Sequence, residues 1–272
     1  MAKILRSPGE YIQGYGEIEN LSGYINQYGN KPLIIISTGG KKRFGTKIEQ
    51  SFKESNSIYE VEIFGGETSS VEIQRLCDCA KSHNVNVVVG IGGGKIIDTA
   101  KAVGHFNKIP IIIIPTVASS DAPCSSLSVI YKENGEFDKY LFLNNCPSLV
   151  LVDTQIIVQT DSKLLAAGMG DALATYYEAR AVQNSGKNNH LGGLPTASAF
   201  ALAKTCKEII LKDGLNAKIA CDNNVVTPPF ENVVEANIYL SGVGFESGGI
   251  GAAHAIQKGL THCPELHNTY HG

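Results

Sequence analysis

Mostly apolar runs and helical patterns alternate along the first half of this chain. The runs are short and rich in β-branched residues, and four of them come before residue 115: Leu33–Ser37, Tyr59–Phe64, Val85–Val89 and Pro110–Ile114. The spacing of apolar residues over Ser69–His83 predicts a helix between two of these runs. Strands that are apolar throughout and alternate with helices are typical of a parallel sheet covered on both faces.

The pattern changes after residue 125. Ser126–Tyr131 and Lys139–Leu143 flank Asn134-Gly135, which predicts a β-hairpin, and Ser148–Asp153 gives the last predicted strand. From Asp161 onward the spacing predicts three helices: Lys163–Val182, Thr196–Leu211 and Phe230–Val243. The predicted fold class is therefore α/β, with a doubly wound parallel sheet over residues 1–158 followed by an all-helical domain over residues 159–272.

The composition excludes several classes of protein. With 272 residues, of which 43% are hydrophobic and 18% charged, the chain is typical of soluble globular proteins. A net charge of −3 gives no basic surface for nucleic acid. No apolar run approaches the length that spans a bilayer, and Met1–Pro8 is not a signal-peptide pattern. The seven cysteines are scattered without a C-x-x-C pair, as in proteins of reducing compartments. We therefore expect a cytoplasmic protein with no nucleic-acid or membrane partner.

A glycine-rich turn follows the third predicted strand. Gly92-Gly93-Gly94-Lys95 joins Val85–Val89 to a predicted helix, so backbone N–H groups and the helix dipole could face a phosphate. The spacing matches neither the G-x-G-x-x-G dinucleotide fingerprint nor the Walker loop. The turn suggests a nucleotide-binding domain over residues 1–158, but a plain tight connection that uses glycine for positive φ is the alternative.

The second half of the chain offers candidate metal ligands. Asp171 lies in a stretch of small residues within an apolar helix, where an unpaired carboxylate is costly. His254 lies in a similar stretch, and His262, His267 and His271 follow near the C-terminal end. One carboxylate and two imidazoles with an open position suit Zn²⁺ or Fe²⁺. For each single histidine, a locally hydrogen-bonded residue remains the alternative.

A polar segment follows the fourth predicted strand. Residues 115–126 begin directly after a buried strand and carry several hydroxyls and Asp121. The carboxyl end of a parallel sheet is where open α/β folds bind ligands, which favours a binding role. An ordinary polar loop with Asp121 as a cap is the alternative.

Taken together and in order, five motifs resemble the glycerol dehydrogenase family of the iron-containing alcohol dehydrogenase superfamily. They are Gly92-Gly93-Gly94-Lys95-x-x-Asp98-Thr99-Ala100-Lys101, Pro115–Pro123, Leu127–Tyr131, Gly168–Thr175 and Ala253–Ile256. The resemblance extends over essentially the whole chain. The ordered set is much more specific than any single motif in it.

The resemblance implies roles for individual residues. It makes Asp171, His254 and His271 the metal ligands and lets Asp121 hold a hydroxyl of a polyol substrate. It implies nicotinamide dinucleotide contacts, with Gly92 and Gly93 shaping the turn, at Gly94, Lys95, Thr116, Ser119, Ser125, Leu127 and Tyr131. Iron-binding members tend to carry histidine where this chain has Thr175, which favours Zn²⁺ over Fe²⁺. Thr38 stands where the family often carries a ribose-binding aspartate, so the choice between NAD and NADP stays open.

The resemblance implies a metal-dependent oxidoreductase that transfers hydride from glycerol or a related vicinal diol to NAD, giving dihydroxyacetone. The family continues beyond the equivalent of Gly272 with more helices, so we expect the helical metal and substrate domain to be truncated here. Exposed apolar surface should then favour a homo-oligomer. A truncated, catalytically weak or inactive relative that binds nucleotide or a full-length partner is the alternative. An enzyme with a phosphorylated substrate is less favoured, because Lys258 is the one candidate cation near the predicted ligands.

Overall fold

The chain forms two compact units. The computed structural model describes residues 1–55, 57–260, 263 and 269–272, except for the side chain of Lys258. The α/β unit comprises Pro8–Thr116 and Ser126–Ile156, and the helical unit comprises Met1–Ser7, Val117–Ser125 and Ile157–Gly272. The domain boundary predicted after residue 158 stays a prediction.

All eight strands of the described residues lie in the α/β unit. They are β1 (Glu10–Gly14), β2 (Pro32–Ile36), β3 (Glu60–Ile63), β4 (Val87–Gly92), β5 (Ile111–Pro115), β6 (Leu127–Tyr131), β7 (Phe137–Phe142) and β8 (Leu149–Asp153). Six strands form one parallel sheet in the order β1-β8-β5-β4-β2-β3, and β6 pairs with β7 as an antiparallel hairpin. Every residue of β2, β4, β5 and β8 is buried, so both faces of the sheet are covered. The predicted parallel sheet and hairpin are confirmed.

The helices of the α/β unit follow its strands in the chain. They are α1 (Leu21–Ile25), α2 (Thr38–Glu54), α3 (Ser70–Ser82), α4 (Gly94–Asn107) and the short α5 (Thr154–Ile157), whose last residue belongs to the helical unit. Ser37 and Ser69 cap α2 and α3, since their hydroxyls accept the N–H groups of Gly40 and Glu72. The helix predicted over Ser69–His83 is thus confirmed as α3.

The helical unit contains the remaining described helices. They are α6 (Ser162–Ser185), α7 (Ala197–Asp222), α8 (Pro228–Glu235), α9 (Ser241–Gly248) and α10 (Ala252–Leu260). Asp161 caps α6, because its side chain accepts the Lys163 N–H. The helix predicted over Thr196–Leu211 is confirmed as α7, but its predicted end was wrong. The helix continues to Asp222, and Asp213 and Gly214 are buried within it.

The helix predicted over Phe230–Val243 is confirmed, because helical backbone continues without a break from Pro228 to Gly248. A π-helical segment, Ala236–Leu240, separates α8 from α9. Such wide turns are commonly found near functional sites. Among the described residues, no helix has the length and apolar character needed to cross a bilayer.

Candidate metal centre and nucleotide-binding turn

Three predicted metal ligands converge in the helical unit. Asp171 comes from α6, His254 from α10 and His271 from the C-terminal segment, and one ligand atom of each lies within 4.8 Å of the others. Asp171 Oδ1 is 3.6 Å from His254 Nε2 and 3.5 Å from His271 Nε2. These distances are long for hydrogen bonds. Two atoms that bind one tetrahedral ion at about 2.1 Å lie about 3.4 Å apart, so the donor set fits Zn²⁺ or Fe²⁺.

Asp171 is buried, with 3% of its surface exposed. Burial raises the pKa of its carboxyl, while the imidazoles of His271 and His254 lower it. Its Oδ2 accepts the backbone N–H of Asp121 at 3.3 Å. A carboxylate in this position is costly without a positive partner, so a bound cation would stabilise it.

His254 is held by a residue that the sequence analysis did not select. Glu178 Oε2 lies 2.6 Å from His254 Nδ1, and Glu178 Oε1 accepts the His254 backbone N–H at 3.1 Å. Burial alone would lower the pKa of His254, but the hydrogen bond to Glu178 and the nearby carboxylates raise it to about 9. Glu178 lies seven residues after Asp171 and so on the same face of α6. This helical spacing was the one signal that could have identified it.

Asp121 lies next to this cluster and is itself buried. Its Oδ2 accepts the Ser241 hydroxyl at 3.0 Å, and Ser241 Oγ lies 2.8 Å from Thr175 Oγ1. Burial and the charge of Asp171 raise the pKa of Asp121 well above its usual range. Thr175, one turn after Asp171 on α6, thus forms part of the hydrogen-bond network that holds Asp121.

The segment that carries Asp121 is fixed by the π-helical segment. Asn237 Nδ2 donates to the carbonyl oxygens of Ala118 and Leu165, at 2.9 and 3.0 Å. Leu165 belongs to α6, the helix that carries Asp171. One amide group therefore joins the Asp121 segment to the helix of the predicted ligand.

The glycine turn occupies the expected place in the α/β unit. Gly92 ends β4, Gly93 precedes α4 and Gly94 is the first residue of α4. The alternative of positive φ is wrong, because Gly93 has φ −88° and neither Gly92 nor Gly94 is among the positive-φ glycines. A Cβ on Gly94 would meet no described atom within 4 Å, and Gly93, the N-cap residue of α4, has no side chain to cap the helix start. This open, uncapped helix start fits a phosphate group.

Other predicted nucleotide contacts lie around this turn. The Thr116 N–H donates to Gly92 at 3.0 Å, and Lys95 Nζ lies 5.9 Å from the centre of the Tyr131 ring. Lys95 also forms a 2.7 Å ion pair with Glu67. The α/β unit therefore brings together these residues: Gly92, Gly93, Gly94, Lys95, Thr116 and Tyr131.

Strand β6, which carries Leu127 and Tyr131, is held by a buried ion pair. Lys101 Nζ lies 3.1 Å from Asp98 and donates to the Leu127 carbonyl oxygen. Asp98 Oδ2 accepts the Val129 N–H at 3.1 Å. Burial raises the pKa of Asp98, although the charge of Lys101 lowers it. The motif residues Asp98 and Lys101 thus hold the strand of two predicted nucleotide contacts.

The remaining predicted residues lie elsewhere. Ser119 and Ser125 belong to the Val117–Ser125 segment of the helical unit. Thr38 is the first residue of α2 and is exposed. The predicted candidates His262 and His267, and the Lys258 side chain, lie outside the part of the chain that the structure describes.

A parallel α/β unit with an open glycine turn, together with an Asp-His-His cluster in a helical unit, is typical of dehydrogenases that use a nucleotide and a metal ion. A sequence profile of the iron-containing alcohol dehydrogenase family matches residues 8–154. Glycerol dehydrogenase from Escherichia coli O6:H1 is 49% identical over 275 residues, which cover 100% of this chain and 74% of that protein.

Other relatives give the same result. Glycerol dehydrogenase from Pseudomonas putida is 46% identical, with 100% of this chain and 74% of that protein covered. The crystal structure of glycerol dehydrogenase from Schizosaccharomyces pombe superposes with a TM-score of 0.95 at 37% identity, covering 99% of this chain and 69% of that one. The chain therefore belongs to the iron-containing alcohol dehydrogenase family, as an oxidoreductase similar to its glycerol dehydrogenases.

Proposed function

We propose that this chain oxidises glycerol, or a related vicinal diol, by hydride transfer to NAD, giving dihydroxyacetone from glycerol. The observation that carries the proposal is the convergence of Asp171, His254 and His271, with Asp121 hydrogen-bonded beside Asp171. The 49% identity to a glycerol dehydrogenase supports the choice of substrate.

The residues that would hold the metal are Asp171, His254 and His271. One carboxylate and two imidazoles leave an open position, as in catalytic zinc sites. Zn²⁺ is preferred over Fe²⁺ because Thr175, and not an imidazole, lies one turn after Asp171, with its hydroxyl bonded to Ser241. When bound, the ion supplies a Lewis acid that lowers the pKa of the alcohol, and the nicotinamide supplies the hydride acceptor.

Asp121 would orient the polyol. Its Oδ2 accepts the Ser241 hydroxyl, so its Oδ1 is available to accept a hydrogen bond from a hydroxyl of the substrate. The backbone N–H of Asp121 donates to Asp171, which keeps the substrate-binding carboxyl beside the metal ligand. A diol offers two hydroxyls, and Asp121 would accept a hydrogen bond from one of them beside the residues that would hold the metal. This arrangement favours vicinal diols over simple alcohols.

The dinucleotide would lie on the glycine turn. The bare surface of Gly94 and the free N–H groups of α4 would receive its pyrophosphate, with Gly92 and Gly93 shaping the approach. Lys95, now paired with Glu67, would either turn to the phosphate or contact both anions. The other proposed contacts are Thr116, Ser119, Ser125, Leu127 and Tyr131.

Steady-state NAD reduction with glycerol tests the proposal. The purified chain is assayed as prepared, after chelation and after Zn²⁺ is restored, beside Asp171→Asn and the exposed control Asp222→Asn. We expect turnover that needs Zn²⁺ and is lost in Asp171→Asn alone. An inactive chain that still binds NAD in calorimetry would contradict the proposal and leave a nucleotide-binding relative.

A cytoplasmic location and a homo-oligomer complete the proposal. The first rests on the scattered cysteines, all seven of which are free thiols in the structure. The second rests on a row of exposed apolar side chains along α7, formed by Leu211, Leu215 and Ile219.

A further inference from the structure

We infer that Glu178 is the positioning residue of the metal centre: its carboxylate sets the tautomer and the ring orientation with which His254 presents Nε2 to the ion. The inference rests on the proposed function, because it concerns the metal held by Asp171, His254 and His271. Glu178 itself has no place in the family resemblance drawn from the sequence. It is identified by its two contacts with one ligand residue.

Both oxygens of the Glu178 carboxylate are used on His254. Oε2 contacts the ring nitrogen Nδ1 at 2.6 Å, and Oε1 accepts the backbone N–H at 3.1 Å. The Glu178 side chain is 5% exposed, so water competes little for these bonds. One carboxylate thus fixes both the main chain and the ring of the ligand.

The contact to Nδ1 decides which nitrogen can bind a metal. A carboxylate only accepts hydrogen bonds, so Nδ1 must carry the proton at 2.6 Å. In the neutral ring the lone pair then lies on Nε2. Nε2 is the atom that faces Asp171 Oδ1, at 3.6 Å. The tautomer that Glu178 selects is therefore the one that a shared ion requires.

The contact of Glu178 with the His254 main chain supports the first turn of α10. His254 is the third residue of α10, and its N–H is one of the first-turn donors without a partner inside the helix. Glu178 satisfies this donor from α6, as an N-cap residue does from within the chain. Neighbouring side chains of α10, namely Ala252, Ala253, Ala255 and Ile256, are exposed. Apolar packing thus holds this turn weakly, and the anchor to Glu178 matters more.

Asp171 and Glu178 share one rigid element. They are seven residues apart on α6, so they lie on one face, about 10.5 Å apart along the helix axis. The helix thereby supplies one ligand directly and the support of a second ligand two turns further on. Carboxylates that support a metal-bound imidazole in this way typically change metal affinity by about 10- to 100-fold.

Glu178→Gln separates positioning from simple capping. In this variant the side-chain amide oxygen can still accept the His254 N–H, while the NH₂ group faces Nδ1 and favours the proton on Nε2. The cap is kept and the tautomer is reversed. Glu208→Gln is the matched control, because Glu208 is an exposed glutamate of α7 with a 3.8 Å ion pair to Lys204.

The experiment measures Zn²⁺ affinity by competition with a chromophoric chelator for the wild type, Glu178→Gln, Glu208→Gln and Asp171→Asn. We expect Glu178→Gln to bind Zn²⁺ about 10- to 100-fold more weakly at an unchanged circular dichroism spectrum. Glu208→Gln should bind as the wild type does. Equal affinity of Glu178→Gln and wild type would overturn the inference. Loss of binding in Asp171→Asn would then still support the proposed metal site.

A second measurement needs no variant. Nitrogen NMR of the histidine rings in the Zn²⁺-loaded wild type reports which ring nitrogen carries the proton. We expect the proton of His254 on Nδ1. A proton on Nε2 would overturn the role of Glu178, whatever the variant does. A wild type that binds no Zn²⁺, or an Asp171→Asn variant that binds it equally well, would overturn the proposed metal site as well.

Discussion

At the scale of single residues, the helical unit places two carboxyls so close together that their negative charges repel each other. Asp121 and Asp171 are both buried, and the negative charge of Asp171 adds to burial in raising the pKa of Asp121. Such a pair is costly unless protons or a cation reduce its charge. The hydrogen bond between them joins the Asp121 backbone N–H to Asp171 Oδ2, so the Asp121 carboxyl takes no part in it.

This arrangement predicts that substitution of Asp121 affects substrate binding more than metal binding. Asp121→Asn should leave Zn²⁺ affinity within about threefold, because the hydrogen bond to the metal ligand Asp171 comes from the Asp121 main chain and is kept in the variant. It should raise the KM for glycerol by about 10- to 100-fold, the worth of a hydrogen bond to a charged group. Titrations with Zn²⁺ and glycerol measure both effects. Asp138→Asn, at an exposed position of β7, is the control, and a loss of Zn²⁺ binding in Asp121→Asn would contradict the assignment.

The presence of threonine at position 38 predicts that both NAD and NADP are accepted. Ile36 at the end of β2 pairs with Ile91 of β4, so Thr38 follows the strand next to the glycine turn. It offers no carboxylate to repel a 2′-phosphate, and no acidic residue occupies the first turn of α2. We expect measurable turnover with NADP.

The variant Thr38→Asp should reduce kcat/KM for NADP by about 10- to 100-fold while that for NAD stays within about threefold. Thr46→Asp adds the same charge to the exposed side of α2 and serves as the control. Steady-state kinetics with each nucleotide provide the measurement. Equal losses with NAD and NADP would show that Thr38 does not face the ribose.

At the scale of elements, the Asp121 segment and α6 approach each other through a glycine. A Cβ on Gly168 would collide with the Ala118 carbonyl oxygen and the Asn237 amide nitrogen. Both atoms are held by the hydrogen bonds of Asn237 and cannot move away easily. The close approach keeps Asp121 beside the helix that carries Asp171.

Gly168→Ala should therefore lower the free energy of unfolding by about 1 to 3 kcal/mol, as overpacking does in a buried contact. Gly45→Ala in α2 is the control, because its Cβ would meet no atom closer than Lys41 Cγ at 3.7 Å. That variant should gain about 0.5 to 1 kcal/mol from its better helix propensity. Urea unfolding measures both. A gain of stability in Gly168→Ala would contradict the close approach.

The elements also show what a sequence reveals and what it does not. The buried strands β2, β4, β5 and β8 were predictable because each is a continuous apolar run. Strand β1 carries Glu10 and Gln13 and forms an edge of the sheet, so its pattern has no such run. The π-helical segment depends on Asn237 bonds to residues more than 70 positions away, and no local pattern encodes them.

The candidate site divides in the same way. The family resemblance implied Asp171, His254 and His271, and the structure brings their ligand atoms together. Three further residues of the site, Glu178, Ser241 and Asn237, lie outside the quoted motifs. Their importance comes from contacts that exist only after α6, α10 and the π-helical segment have packed.

At the scale of the whole molecule, the proposed metal ligands and most of the proposed nucleotide contacts belong to different compact units, with Ser119 and Ser125 of the helical unit as the exceptions. The proposed metal ligands belong to the helical unit, while the glycine turn and its partners belong to the α/β unit. The chain passes from one unit to the other after Ser7, Thr116, Ser125 and Ile156. We propose that the two units are also the two domains, which gives the thermal unfolding of the molecule a definite form.

Differential scanning calorimetry should then show two transitions, each raised mainly by one ligand. Zn²⁺ at about 100 times its Kd stabilises the state that binds it by about 2.7 kcal/mol. For a unit of this size, that shifts the midpoint by roughly 5 to 10 °C. NAD should raise the other transition, and chelation should lower only the Zn²⁺-dependent one. Asp171→Asn should abolish the Zn²⁺ shift and keep the NAD shift. One transition raised by both ligands would mean that the units unfold together, because a ligand that binds either unit then stabilises the whole.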